Sequence, residues 1–306
     1  MIAPYQAVIL VAGRGSRLST ETSEIPKALL PIGRRAADDP TETTFLRRQI
    51  DVLRDCGVEQ VVVVVGYQRE RIIAELHRWA PWAQVVVNPS ADISTSGSLH
   101  SFQYAVRSEF GVLDGTKQTV LMDGDIVYQR GALQLVLNAP EVSASLICKR
   151  VTDDDDSEEV LVYGTAQRPR FIGKALTDSL VDDATCLGEA TGIIKLAPSD
   201  HPLVREIINW MLGDPDAPEG SARHAGFGPA RRGTEHEELS QRLMQLGKMH
   251  GVIFGDELLF MEVDTPDEYA RLRESFYPRL LKAEKVSSWP LPPAGADPES
   301  GKRSSR

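Results

Sequence analysis

The sequence predicts an α/β protein built on a doubly wound, mixed sheet with a small antiparallel extension. Two observations carry that prediction. Up to Asp123, short apolar runs rich in β-branched residues alternate with segments of helical period, the pattern of strands buried on both faces of a parallel sheet. From Val142 onward the rhythm changes to short strand-like pieces separated by polar or glycine-containing turns.

Each element follows from its own residues. Ala7 to Ala12 is a mostly apolar run that makes a short buried strand, and Gly13-Arg14-Gly15-Ser16-Arg17 behind it makes a loop able to wrap an anion. Gly13 and Gly15 lack a Cβ, so backbone N–H groups can approach a ligand, while Arg14 and Arg17 add charge-assisted hydrogen bonds. Phe45 to Cys56 has helical period, with Leu46, Ile50 and Leu53 on one face, and Gly57 ends it. Val61 to Val65 is a strand, Arg69 to Trp79 a helix with Ile72, Ile73, Leu76 and Trp79 inward, and Val85 to Val87 a strand. Ser98 to Arg107 is the next helix, and Thr119 to Met122 a strand that stops at Asp123. This βαβαβαβ order closes as a right-handed sheet whose ligands sit at the carboxyl ends of its strands.

The extension is expected to lie over one end of that sheet, with strands at Ala144 to Cys148, Val160 to Tyr163, Arg170 to Lys174 and Thr191 to Leu196. Helices follow at Leu203 to Met211 and Glu237 to Leu246, then the strand Leu258 to Val263 and a last helix from Pro266 to about Phe276. One domain is expected over residues 1–282, with the extension at roughly 142–250. The Gly-, Pro- and Ala-rich insertion Gly213 to Gly233 reads as a mobile loop, and residues 283–306 as a disordered tail with almost nothing to bury.

Composition narrows the partners. The chain has 306 residues, 42% hydrophobic and 25% charged, enough for a sizeable core. Its 34 basic against 44 acidic residues give a net charge of −10, which argues against nucleic acid or an anionic membrane as the main partner. An anionic ligand must therefore be met by a local cluster of cations. Cys56, Cys148 and Cys186 have neither disulfide-framework nor zinc spacing and read as reduced core residues of a cytoplasmic protein. No leader segment is evident, and no apolar stretch approaches the ~18 residues of a spanning helix. The acidic run Asp153 to Asp156 lacks the spacing and glycine of a calcium loop and reads as a solvated turn.

The chemistry-bearing residues gather at strand ends. Asp123-Gly124-Asp125 follows an apolar strand directly, at the edge where the glycine loop also lies. Asp264 follows Phe260 to Val263 and precedes Thr265-Pro266. Asp-Gly is also a common turn, and Asp-Thr-Pro a common helix start. Flanking a phosphate loop, however, Asp123, Asp125 and Asp264 would hold Mg2+ against a triphosphate, since that ion takes one or two carboxylates, phosphates and water. Lys27, after the fixed backbone of Pro26, would aim its ammonium back toward the loop, although most lysines lie on the surface.

At these residues the chain resembles a family. AGRGSRL within Val11 to Ile32, followed by IPKALLPI, is similar to the signature of nucleotidyltransferases of the sugar-nucleotide pyrophosphorylase superfamily. The resemblance extends over residues 5–276, through Asp123-Gly124-Asp125, Gly188-Glu189-Ala190-Thr191-Gly192-Ile193 and Val263-Asp264-Thr265-Pro266. The layout looks most like the small cytidylyltransferases that activate phosphocholine, inositol phosphate or phosphonates, as Asn88 and the later Ser98-Leu99 also suggest.

The resemblance implies a Rossmann-like fold of the nucleotide-diphospho-sugar transferase type, with the extension binding the acceptor. Val11, Ala12, Gly13, Arg14, Gly15 and Ser16, with Asn88 and Ser98, would bind the nucleotide. Arg17 and Lys27 would neutralise the leaving pyrophosphate. Asp123 and Asp264 would bind magnesium with help from Asp125, making Arg17, Lys27 and Asp123 the catalytic set. Glu189, Thr191 and Gly192 look like the segment that meets the acceptor, and Lys149 or Arg150 would neutralise its phosphate.

Departures from the pattern shape the acceptor. Phosphocholine enzymes surround the quaternary ammonium with aromatic rings; here the corresponding stretch, Ser157 to Tyr163, is acidic or aliphatic, and Glu235-His236-Glu237-Glu238 is polar. Glu189, Glu235, His236 and Glu237 instead suit the hydroxyls of a sugar or cyclitol, or an amine. Ser94-Thr95 replaces the asparagine pair usual before Ser-Leu, so CTP, though favoured, is not the sole nucleotide to consider; guanylyl, uridylyl and adenylyl transfer are alternatives.

The expected reaction is in-line attack of an acceptor phosphate or phosphonate oxygen on the α-phosphorus of a nucleoside triphosphate, with release of pyrophosphate. A nicotinamide-dependent dehydrogenase is disfavoured, because Leu18 stands where its third glycine would be and the second strand runs into Gly66-Tyr67. A non-catalytic nucleotide-binding module of the same fold is the alternative of another class. A homodimer is an open expectation.

Overall fold

The computed structural model describes residues 4–18, 21–22, 24–89, 96–140, 142–149, 159–177, 179–213 and 235–286. Strand β1 (Tyr5–Val11) leads into the glycine loop, two 3-10 turns at Ser16–Leu18 and Lys27–Leu29, and a hairpin of β2 (Pro31–Arg34) and β3 (Glu42–Thr44). Helix α1 (Phe45–Asp55) starts where the Thr44 hydroxyl accepts the Arg47 N–H at 3.3 Å, and it buries Phe45, Leu46, Ile50, Val52 and Leu53. It ends at Gly57, whose φ of +80° suits a residue with no Cβ.

Then come β4 (Gln60–Val65), α2 (Arg69–Trp79), β5 (Gln84–Val87), α3 (Ser98–Arg107) and β6 (Gln118–Asp123). The sheet runs β5, β4, β1, β6 in parallel, with Val11 beside Val65 and Leu10 beside Asp123. Val61 to Val65 are all buried; each such side chain contributes about 2 kcal/mol relative to exposure. The alternating reading of the sequence thus matches this half element by element, save for the β2–β3 hairpin.

Past Asp123 the chain turns into β7 (Ile126–Tyr128) and α4 (Arg130–Leu137), neither of which the sequence reading resolved. The extension follows as β8 (Ala144–Cys148), β9 (Leu161–Gly164), β10 (Pro169–Gly173) and β11 (Cys186–Leu196). It is continuous with the main sheet rather than laid over its end. The reason is the length of β11: Ile193–Leu196 pair antiparallel with β6, while Cys186–Glu189 pair with β9 and both halves pair with β8. Helices α5 (His201–Leu212) and α6 (His236–Gln245) precede β12 (His250–Phe254), which runs parallel to β8 and brings this sheet to nine strands among the described residues.

Strand β13 (Phe260–Glu262) pairs with β7, setting Glu262 opposite Ile126. The last helical stretch is longer than its period suggested: α7 (Pro266–Arg271) passes through a π turn at Leu272–Phe276 into α8 (Tyr277–Val286). A separate core lies here, joining Leu18, Leu30, Ile32, Phe45, Val127 and Met261 to Tyr277 and Leu280. Helix α8 is also held by charge, because Glu284 Oε1 accepts from Arg48 Nη2 at 2.6 Å and from the Arg130 N–H at 2.8 Å.

The cysteine reading needs correction. Cys148 is buried, but Cys56 is half-buried and Cys186, the first residue of β11, is exposed. The acidic run Asp153–Asp156, Ser94-Thr95, Arg150, residues 214–234 and the tail beyond Val286 lie outside the described residues.

Removing one partner of a buried ion pair leaves the other charge uncompensated. The Glu284→Ala variant is therefore expected to lose about 3 kcal/mol of unfolding free energy, read from urea melts against the unchanged chain.

Candidate active site at the carboxyl edge of the sheet

The loop after β1 opens to solvent. Gly13, Arg14, Ser16 and Arg17 are exposed while Val11, Ala12 and Leu18 are buried, so the strand end is fixed and the loop is available. A Cβ at Gly13 would meet no protein atom within 4 Å, which leaves room for a ligand to approach the backbone. Gly15 has φ +65°, and a Cβ there would come within 3.1 Å of Lys27 Cβ. Ala12 O accepts the Tyr67 N–H at 3.0 Å, tying the loop base to the end of β4, and Arg14 stacks 5.5 Å from the Tyr67 ring centroid.

Lys27 is the hub. Its side chain runs along the loop and is 9% exposed, with Nζ 2.8 Å from Asp125 Oδ2 and 2.9 Å from Asp264 Oδ1. Arg17 Nη2 lies 3.0 Å from Asp264 Oδ2. Burial alone would lower the Lys27 ammonium, but Asp125 and Asp264 outweigh it and hold the group above its usual value. Burial pushes the Asp264 carboxyl up, and Lys27 and Arg17 outweigh that to hold it below its usual range.

The backbone dictates where these carboxylates stand. Asp125 sits on the tight turn between β6 and β7, where a Cβ on Gly124 would come within 2.4 Å of Val11 Cγ1 and 2.7 Å of Leu10 O. Only glycine lets that turn press against β1. Asp264 leaves β13 just before Thr265, which caps α7 in a reciprocal box with Glu268, and the Asp264 N–H also bonds Glu268 Oε2 at 2.8 Å.

One site residue escaped the sequence reading. Carboxylate oxygens of Asp125, Glu262 and Asp264 all lie within 4.8 Å of one another. The signal was present: in a strand, residues two apart share a face, so Glu262 accompanies Asp264. Burial drives the Glu262 carboxyl well above its usual value, and Asp125, Asp264, Asp123 and Glu189 add to the rise. Hard carboxylate oxygens crowded against one another in this way suit a divalent cation such as magnesium.

Asp123 stands apart from that trio. It faces β11 and α6: a Cβ on Gly192, whose φ is +69°, would lie 2.3 Å from Asp123 Oδ2, and His236 Nε2 is 3.6 Å from the same oxygen. Burial is the main cause that pushes Asp123 up to about 8; Asp125, Glu237 and Glu235 reinforce it, and His236 opposes it. The His236 ring also lies 3.6 Å, through Nδ1, from Glu237 Oε2.

The predicted nucleotide and acceptor residues meet each other here. Ser98 donates its hydroxyl to Glu235 Oε2 at 2.7 Å, and the Ser98 N–H bonds the same oxygen at 3.1 Å, so Glu235 caps α3. Ser98 Oγ in turn accepts the His236 N–H at 2.8 Å and lies 3.0 Å from His236 Nδ1. With its one proton given to Glu235, Ser98 can only accept from that nitrogen, which places a proton on Nδ1.

Of the other predicted contacts, Asn88 and Thr191 bond to the protein itself. The Asn88 amide holds Ser96 Oγ at 2.9 Å and Ser101 Oγ at 3.0 Å, at the start of α3. The Thr191 hydroxyl is buried and donates to Leu146 O at 2.9 Å, inside the sheet rather than toward an acceptor. Lys149 is exposed at the end of β8, beside the Gly188-Glu189 backbone. Glu189 is buried on β11 and close enough to Glu262 to raise its carboxyl.

A family model described as the MobA-like NTP transferase domain matches residues 7–183. The chain belongs to that family. Among relatives of this NTP transferase, it is 36% identical over 293 residues to a CMP-5'-(3-aminopropyl)phosphonate synthase from Streptomyces rubellomurinus, covering 94% of this chain and 42% of that protein. It is 34% identical over 171 residues to a bifunctional IPC transferase and DIPP synthase from Aquifex aeolicus, covering 56% of this chain and 35% of the other. It thus spans less than half the length of these two relatives. The fold matches the inositol-1-phosphate CTP transferase of T. maritima at TM-score 0.63 and 19% identity, over 93% of this chain and 98% of that one. No helix among the described residues is long and apolar enough to cross a membrane.

A methyl group at residue 192 would collide with Asp123 Oδ2, and its backbone is left-handed. The Gly192→Ala variant is expected to lose about 1–2 kcal/mol in urea melts and to show a displaced Asp123 carboxylate in its crystal structure.

Proposed function

We propose that this NTP transferase moves a nucleoside monophosphate, CMP by preference, from the triphosphate to the phosphonate or phosphate of a small acceptor and releases pyrophosphate. The observation that carries the reading is the Arg17–Asp264–Lys27–Asp125 arrangement under an open glycine loop. The relatives' names, which speak of CMP-phosphonate and inositol-phosphate chemistry, support it.

The residues divide the work. Backbone N–H groups of Gly13 to Ser16 meet the triphosphate, and Arg14, Arg17 and Lys27 supply the positive charge that a phosphate tail needs in a chain of net charge −10. Asp125, Glu262 and Asp264 would hold a magnesium ion, with Asp123 as a neighbour across the turn. When bound, that ion supplies charge neutralisation at the phosphates and template geometry. An acceptor phosphonate is already an anionic nucleophile, so its oxygen bonds to the α-phosphorus as the bond to the β-phosphate oxygen breaks, with no covalent enzyme intermediate. Catalysis is then the holding of two anions in line and the stabilisation of charge on the leaving pyrophosphate, the task of Arg17 and Lys27.

On the acceptor side, Glu189, Glu237 and Asp123 flank Gly192 and His236. This acidic wall favours an acceptor with an amine or several hydroxyls over a quaternary ammonium, which aromatic rings would hold. We assign the chain to the cytoplasm, which suits the lack of a disulfide among Cys56, Cys148 and Cys186. A homodimer is compatible with this reading.

Pyrophosphate release is to be measured with magnesium, each of the four nucleoside triphosphates, and 3-aminopropylphosphonate, inositol 1-phosphate, phosphocholine and glucose 1-phosphate in turn. The expected result is fastest release with CTP and the aminophosphonate, and a fall of about a hundredfold in Lys27→Ala and Asp264→Ala that keep a folded spectrum. Release with no pair would favour a nucleotide-binding module. Unchanged turnover in Asp264→Ala would remove that residue from the cation site.

A further inference from the structure

Between β6 and β7 the backbone reverses over Asp123 to Ile126, and the carbonyls at the two ends of that turn accept side-chain hydrogen bonds. Both are met by one side chain. Gln49, on α1 and 1% exposed, places Nε2 2.9 Å from Asp123 O and 3.1 Å from Ile126 O. The orientation of the amide is not in question, because both partners are carbonyl oxygens and only the nitrogen can donate to them. The far atom, Gln49 Oε1, is buried and has no hydrogen-bond partner among the described residues. An amide that leaves its oxygen unpaired is a poor way to fill a core; what it contributes here is the nitrogen.

The two bonded carbonyls are the ends of the segment that carries the acidic groups. Asp123 O belongs to the last residue of β6 and Ile126 O to the first of β7, so Gln49 clamps the turn from beneath. From the other side Gly124 rests on Val11 and Leu10, and Asp125 O accepts the Val263 N–H at 3.3 Å. Asp123 and Asp125 are thereby held at a fixed spacing from β1 and β13.

We propose that Gln49 is a positioning residue: its amide sets the shape of the Asp123–Ile126 turn and so presents Asp125 to Glu262 and Asp264, and Asp123 to Gly192. It touches neither substrate nor cation. The consequence for cation affinity rests on the reading of Asp125, Glu262 and Asp264 as cation ligands; the consequence for the turn does not.

The test uses the full chain with Gln49→Met, which keeps the length of the side chain and removes the donor, and Gln49→Glu, which keeps its shape and sets an acceptor against the carbonyls. Hydrogen exchange is followed by mass spectrometry on the peptides covering residues 118–128 and, as a reference, β4. Binding of Mn2+ to the protein without nucleotide is followed by the EPR signal of the free ion. The proposal expects exchange in residues 118–128 at least tenfold faster in both variants with β4 unchanged, and an Mn2+ affinity at least tenfold weaker. A purely structural role would instead speed exchange across β4 as well and leave Mn2+ affinity of the folded protein unaltered, which would overturn the proposal. Unchanged exchange at 118–128 would overturn it too. If the unsubstituted chain takes up no Mn2+, the cation reading falls while the exchange result still decides the role of Gln49. Should Gln49→Glu fail to fold, Gln49→Met alone decides, since it changes only the polar end of the side chain.

Discussion

The buried ammonium of Lys27 is the interaction on which the site depends. It joins residues 98 and 237 positions away in the chain, Asp125 and Asp264, at hydrogen-bond distance. An ammonium this far from water keeps its charge only beside carboxylates, and carboxylates this close to one another stay ionised only beside a cation. The loop after β1, the turn after β6 and the end of β13 therefore form one electrostatic unit. Buried ion pairs contribute little net stability once desolvation is counted. What this one contributes is placement, with positive charge directly below the backbone loop.

That unit stands on apolar packing that the main sheet does not provide. Leu18 and Leu30 bracket the segment from the loop to Lys27, Val127 and Met261 come from the strands that carry the acids, and Tyr269, Tyr277 and Leu280 close the group from the C-terminal helices. The β2–β3 hairpin fits the same core so closely that a Cβ at Gly33 would come within 2.8 Å of the Tyr277 ring. Two structures thus share one chain: a parallel sheet that sets the strand ends, and a smaller core that gathers the charged residues against them.

This division explains what the sequence could reveal. Elements of the parallel half were legible because each is amphipathic or uniformly apolar over its whole length; the periods of Arg69–Trp79 and Ser98–Arg107 match α2 and α3 residue for residue. In the smaller core only β13 was, inside the expected strand Leu258 to Val263; β2, β3 and β7 were not, since they are three or four residues long and pair only as β2 with β3 and β7 with β13. Strands that short carry too few alternations to distinguish from loop. Asp125, Asp264 and Lys27 were visible from position and spacing. Glu262 is harder to see, because a glutamate inside an apolar strand reads as its solvent-facing residue and its two-residue spacing from Asp264 is the one local signal that points to the cluster. Thr191 and Asn88 have residue types that suit ligands, while the Thr191 hydroxyl and the Asn88 amide nitrogen bond to the protein.

The bonds of Ser98 bear on how such an enzyme could change its choice of substrates. Helix α3 and helix α6 begin at the same hydroxyl: Glu235 accepts from it, and the His236 backbone donates to it. The two helices pack against each other and share this hydroxyl, so neither start can be redrawn while the other is kept. Diversifying residues 235–237 alone leaves the opening turn of α3 without its carboxylate cap, and diversifying Ser98 alone unseats the opening turn of α6. On the proposed acceptor reading, a search for variants of altered substrate range has to sample Ser98, Glu235 and His236 together, because both helix starts share one hydroxyl.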